Sequence, residues 1–216
     1  MEQSTETLKE KVEHTLEIEA PEYEIQHKKI GPGQYITEKE YGERQRLREK
    51  FDEEIRSFKG KDVQLISFPL GKERYAVDIE AIKEVVPTPQ ISRIPHSPAF
   101  IKGVSNIRGA VMVILDLAAK FELIGNSDSE TQLPFTMVIN GISFNAGILV
   151  KEVPITLKVK GDDIVSSSGL LNNTALDETY IKGLVNTDDG MVIYIDVKEL
   201  LEEEDVKVLS QSLDRK

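Results

Sequence analysis

The strongest constraint on this chain is a stretch written twice: IKGVSNIRGAVMVILDL from Ile101 to Leu117 and IKGLVNTDDGMVIYIDV from Ile181 to Val197, about 80 residues apart. Ile101, Lys102, Gly103, Asn106 and Asp116 recur at one fixed offset as Ile181, Lys182, Gly183, Asn186 and Asp196, with apolar residues filling most positions between Asn and Asp. The pattern predicts one supersecondary unit folded twice, a hairpin leading into an Asp-capped helix. The copies disagree at the hairpin tip, where Arg108 stands in the first and Asp188 in the second, and that difference is the best pointer to function.

Composition narrows the classes. At 216 residues, 39% hydrophobic and 30% charged, the chain can hold one domain of ordinary size plus an extension, with a core that closes without staples. The absence of cysteine removes disulfides, zinc thiolates and thiol nucleophiles and fits a reducing cytosol. A net charge of -11 argues against a sequence-independent phosphate binder, so nucleic acid is not an expected partner. No apolar run approaches the roughly 18 residues a membrane helix needs. The first residues, MEQSTETLKE, are acidic and polar where a signal peptide is basic and then apolar. A cytoplasmic protein without direct membrane insertion is the expectation.

Along the chain, the first 60 residues carry 15 Asp or Glu and 11 Lys or Arg with few aliphatics. Residues 1–36 read as an acidic, disordered tail, its periodicity interrupted by Pro21, Gly31, Pro32 and Gly33. Over 37–60, Leu47, Phe51, Ile55 and Phe58 recur at helical spacing, with Thr37 and Glu40 as a capping box, predicting one amphipathic helix ending at Gly60. A domain follows over 61–204, in halves of about 61–126 and 133–204 around a polar Ser127–Gln132 linker, with 205–216 a C-terminal tail. VQLISFPL and RYAV flank a Gly71-Lys72 turn, and Asp78 is placed to cap a short helix whose Ile79, Ile82 and Val86 share a face. Arg108-Gly109 is the first repeat's turn, and Asp116 is expected to cap a helix through Leu123 ending at Gly125. In the second half, strands are expected around TMVING and SFNAGILV, a turn at Asp189-Gly190 and a final helix from Asp196. The fold class is mainly β: two small, similar β-barrel subdomains joined by short helices, after a charged extension with one helix.

A strand, a hairpin, a short helix ending in KEV, then IP-x-x-P-x-F-I-K-G-V-x-N-x-R-G, an apolar strand and Asp-Leu: this order resembles the CheW family of bacterial and archaeal chemotaxis adaptors. The resemblance covers about Lys61 to Glu204, and IKGVSNIRG with Asp116-Leu117 is its specific part. It implies two β-barrel subdomains around a shared core, no catalysis and no cofactor. It also implies a role coupling the signalling tips of transmembrane chemoreceptors to the regulatory domain of a CheA-type histidine kinase, at membrane receptor arrays. The pattern departs at two positions, Val113 where the family often has Pro and Ala118 where it often has a surface Arg.

On the residues alone, Asn106 and Gly109 suit turn geometry, while Arg108 serves either a partner contact or an internal bond bracing the two subdomains. The resemblance places Asn106, Arg108 and Gly109 in the receptor-contacting region, with Val85, Val86 and Ile91 in the groove between the subdomains. Gly103, Asp116, Gly183 and Asp196 are expected to be structural. Within the adaptor class, service to a non-chemotactic kinase is the alternative. The alternative from another class is a hydrolase using His96. Against that reading, the three histidines His14, His27 and His96 show no metal-ligand spacing, there is no G-x-S-x-G elbow, and GPGQ at Gly31 lacks the ending of a phosphate loop.

Overall fold

The computed structural model describes residues 27–31, 34–123, 133–166, 178–202 and 206. The expected linker over 127–132 and most of the two tails fall outside these residues. The chain forms two compact units, Met1–Gln45 and Arg46–Lys216.

In the first unit, β1 (His27–Gly31) pairs antiparallel with β2 (Gln34–Thr37), which corrects the expected tail over that stretch. Gly31 ends one strand and Gln34 opens the next. Helix α1 (Glu38–Ser57) starts at the capping box: the Thr37 backbone N–H donates to Glu40 Oε2 at 2.7 Å, and the Glu40 N–H donates to Thr37 Oγ1 at 3.2 Å. From Arg46 on, α1 belongs to the second unit, where Phe51 and Ile55 are buried.

The second unit holds the remaining strands. β3 (Asp62–Leu70), β4 (Glu73–Asp78), β10 (Ile155–Lys160), β11 (Ile164–Ser166), β12 (Ile181–Thr187) and β13 (Gly190–Ile195) form a six-stranded sheet in the order β10-β3-β4-β13-β12-β11. β5 (Ile82–Pro87), β6 (Ile101–Ile107), β7 (Ala110–Leu115), β8 (Phe135–Asn140) and β9 (Asn145–Val150) form a five-stranded sheet in the order β5-β8-β9-β7-β6. The same motif sits inside both: a hairpin, a parallel pairing and the repeated hairpin, as β3-β4-β13-β12 and as β8-β9-β7-β6. The sheets therefore do not follow the expected halves 61–126 and 133–204. Each repeated hairpin joins a hairpin from the opposite half of the chain, so the two subdomains are interleaved.

Interleaving explains the apolar runs. β7 and β13 each end in four consecutive buried residues, because one face looks into its own sheet's cluster and the other into a core shared by both sheets. Phe68, Tyr75, Val113, Leu115, Ile139, Ile148 and Ile195 meet in that shared core, along with the short helices α2 (Leu117–Lys120) and α3 (Val197–Leu201).

Four local expectations change. Ile79–Ala81 is one 3-10 turn and Ile82–Pro87 is an edge strand, as β-branched residues ending in proline favour, and Asp78 makes no cap bond. α2 stops at Lys120: Glu122 takes φ 53 and the Leu123 N–H reaches the Ala118 carbonyl at 2.9 Å, a Schellman-type closure before Gly125. Ala118 is buried in the shared core, not a surface position. Val206 is fully buried in the same core, so the tail does not begin at 205.

Candidate protein-docking site

The β6–β7 hairpin closes with Ile107 opposite Ala110 around the two-residue turn Arg108-Gly109. Both turn residues have positive φ, 51 and 89, the backbone hand that matches the twist of the flanking strands. Asn106 Oδ1 accepts the Gly109 N–H at 2.8 Å and fixes the turn from one strand. Arg108 is thus a non-glycine residue held in the left-handed region, a conformation costing about 1–3 kcal/mol that its surroundings must impose.

Arg108 Nε lies 2.7 Å from Glu84 Oε2, with the Arg108 side chain 77% exposed and Glu84 20%. Glu84 is on β5 and Arg108 at the tip of β6–β7, the two opposite edges of one five-stranded sheet. The pair therefore closes a barrel within one subdomain and does not brace two subdomains together. Neighbouring bonds reinforce that closure: Ser92 bridges Val104, and Ser105 Oγ donates to the Gln90 carbonyl at 2.8 Å. The Arg108 side chain, 77% exposed, leaves most of its guanidinium open to solvent beside this pair.

The expected groove residues divide. Val86 and Ile91, both half-buried, pack on the cluster of Ile107, Met112, Ile114, Val138 and Leu149 inside this barrel, beside the Arg108–Glu84 pair. Val85 turns to the shared core instead, because successive side chains of a strand point to opposite faces. Two neighbours escaped sequence reasoning. Glu84 was one carboxylate among 38 acidic residues. Val111, 49% exposed directly after the turn, reads in sequence as another strand interior position.

The second hairpin turns at Asp188-Asp189, one residue earlier than expected, with Thr187 opposite Gly190 and Thr187 Oγ1 donating to the Gly190 carbonyl at 2.6 Å. The two tips are structural counterparts of different charge, a cation paired to a strand edge on one and two carboxylates on the other.

The structural positions do what capping and close approach require. Asp116 Oδ1 accepts from the Ala119 N–H at 3.1 Å while Lys102 Nζ sits 3.1 Å from Oδ2. Asp196 Oδ1 accepts from the Lys198 and Glu199 N–H groups at 3.0 and 3.1 Å. At Gly103, φ is 140 and an added Cβ would fall 2.2 Å from the Ser92 carbonyl oxygen; at Gly183 it would fall 2.6 Å from the Val165 carbonyl oxygen. His96 is exposed in the loop before β6, with φ 61.

Against known proteins, a family model described as the CheW-like domain matches residues 64–205. The chain is 32% identical over 146 residues to a chemotaxis protein CheW of Klebsiella aerogenes, covering 68% of this chain and 86% of that protein. It is 29% identical over 147 residues to a chemotaxis protein CheW of Thermotoga maritima, covering 68% and 93%. Among solved structures, the scaffolding protein TtCheW of Thermoanaerobacter tengcongensis superposes with a TM-score of 0.57 at 27% identity, covering 66% of this chain and 94% of that one.

Proposed function

Because this chain belongs to the CheW-like family of non-enzymatic chemotaxis adaptors, we propose that it couples chemoreceptor signalling tips to the regulatory domain of a CheA-type histidine kinase. The observation that carries this reading is the Arg108–Glu84 pair at the mouth of the five-stranded barrel, flanked by half-buried Val86 and Ile91 and exposed Val111. An apolar patch beside an outward planar cation suits a helical receptor tip that offers aliphatic side chains and a carboxylate. Asn106 and Gly109 contribute by holding Arg108 in place, through the turn they build. Val85, facing the shared core, supports the groove from behind.

The adaptor domain is taken to run from 61 to at least Val206, and the residues before it are taken as modulators of its contacts. Recruitment to receptor arrays then comes from binding alone; among the described residues no helix is long and apolar enough to cross a membrane. Contacts of this kind are commonly micromolar, near -8 kcal/mol, and gain strength by multivalency in an array. The test is calorimetric titration of the full-length protein with a soluble receptor-tip hairpin. Micromolar binding weakened by Val111→Asp supports the site, and binding indifferent to that substitution removes this face from it.

A further inference from the structure

The six-stranded barrel carries a second candidate surface, and α1 occupies it. The surface beneath admits close approach: at Gly183 on β12 an added Cβ would fall 3.0 Å from Ile55 Cδ1, and at Gly161, in the turn between β10 and β11, it would fall 1.9 Å from the carbonyl oxygen of Phe58, just past the end of α1. Ile55 packs with Val63, Leu65, Ile164, Val185 and Tyr194 in the cluster of that barrel.

The slot also carries a charge requirement. Lys182 lies at its floor with a side chain only 2% exposed, its Nζ 2.5 Å from Glu54 Oε1 on α1 and 3.0 Å from Asp78 Oδ2 at the end of β4. Its ammonium stands over the Tyr194 ring, 4.7 Å from the centroid. Asp78 is shared, because its Oδ1 accepts the Tyr194 hydroxyl. Without α1 the ammonium would keep a single shared carboxylate, so any occupant of the slot has to supply an acidic side chain where Glu54 stands. In the first repeat the matching Lys102 is satisfied by Asp116 and needs no outside carboxylate.

α1 is held largely by polar links. Beyond Glu54, Lys50 Nζ meets Glu199 Oε1 at 2.6 Å and Asp52 accepts from the Ser166 hydroxyl, while Phe51 and Ile55 are its only fully buried residues among those described. Beside the helix runs an open groove of about 680 Å³ lined by Lys50, Glu54, Lys61, Asp78, Lys182 and Lys198 among others, so solvent reaches the Lys50–Glu199 pair and the Glu54 carboxylate while the Lys182 side chain stays buried. Few buried apolar contacts and solvent-accessible polar ones define an element that opens locally before the fold does. The family match begins at Gln64, so the slot's floor belongs to the adaptor domain and its cover precedes the match.

We propose that residues 46–57 of α1 are a displaceable cover over a second protein-docking slot, and that the slot exchanges this cover for an acidic amphipathic helix of a partner. That helix carries a carboxylate at the position of Glu54 and an aliphatic side chain at the position of Ile55. The slot is separate from the Arg108 face and does not depend on what binds there.

Hydrogen exchange on the full-length protein and a labelled synthetic peptide of residues 46–60 test this. The α1 amides from Lys50 to Ser57 are expected to exchange at least about tenfold faster than those of β3, β4 and β13, and faster again in Glu54→Gln with the strands unchanged. The peptide is expected to bind the Glu54→Gln/Ile55→Ala double variant about tenfold more tightly than it binds the natural protein. A peptide with Lys at the Glu54 position is expected to lose that binding, a readout that leaves the folded protein untouched. Exchange of α1 in step with the strands in both proteins would overturn the proposal, making α1 a permanent part of the barrel. Equal binding of the two peptides would overturn the charge requirement and with it the partner's chemistry.

Discussion

Exchanging the charges of Glu84 and Arg108 separates the two things Arg108 can do. The pair is at 2.7 Å but its arginine is 77% exposed, which limits its worth to about 1 kcal/mol or less. Arg108→Glu removes that attraction and sets two carboxylates side by side, for a total cost of about 1–2 kcal/mol and a melting point lower by about 2–8 °C. The left-handed backbone at residue 108 is unchanged in cost, since one non-glycine residue replaces another. The double exchange, Glu84→Arg with Arg108→Glu, restores the attraction and returns stability to within about 0.5 kcal/mol. It does not restore an outward guanidinium at the turn. Thermal unfolding of the natural protein, the two single variants Arg108→Glu and Glu84→Arg and the double exchange by circular dichroism, paired with calorimetric titration against a receptor-tip hairpin, reads both effects. The expected result is recovered stability and at least about tenfold weaker receptor binding, equivalent to 1.4 kcal/mol. A double exchange that melts and binds as the natural protein does would leave Arg108 a brace and nothing more.

Three further outcomes follow from the same geometry. Gly103→Ala drives a Cβ to 2.2 Å from the Ser92 carbonyl at φ 140, so it should lower the urea midpoint by the equivalent of at least about 1–3 kcal/mol as the Ser92–Val104 bridge opens. Asp116→Ala removes the α2 cap and the Lys102 counter-charge together, costing about 1 kcal/mol or somewhat more in the same titration. At high pH, Tyr194 and Tyr75 should resist ionisation: burial, and then Asp78 for Tyr194 and Glu73 for Tyr75, push both phenols above their ordinary range. A raised folded-state pKa means that this stability is fully present below about pH 10 and is lost above it, by about 1.4 kcal/mol per pH unit for each phenol. Tyrosinate absorbance should show two of the six tyrosines ionising only as the circular dichroism signal collapses.

What the sequence made legible was whatever repeats or alternates. The duplicated IKG…Asp stretch announces both hairpins and both capping aspartates, because those features depend on neighbours within a few residues. The Arg108 tip was readable for the same reason. Interleaving was not, since the parallel pairings of β4 with β13 and β7 with β9 join residues from opposite halves and leave no local mark. Ile82 to Pro87 was misread as helical because its apolar residues fit both periods, and edge position in the sheet decided for strand. Glu84 and Lys182 gained their roles from partners 24 and 128 residues away, a distance at which one charge in a charged chain resembles any other.

The most direct test of the adaptor reading is calorimetry of the full-length protein against the isolated regulatory domain of the CheA-type kinase from the same cell, repeated without residues 1–45. Micromolar binding that survives the truncation is the predicted result. An absence of binding by either form, with both shown folded by circular dichroism, would contradict it and leave a CheW-like fold in the service of a different partner.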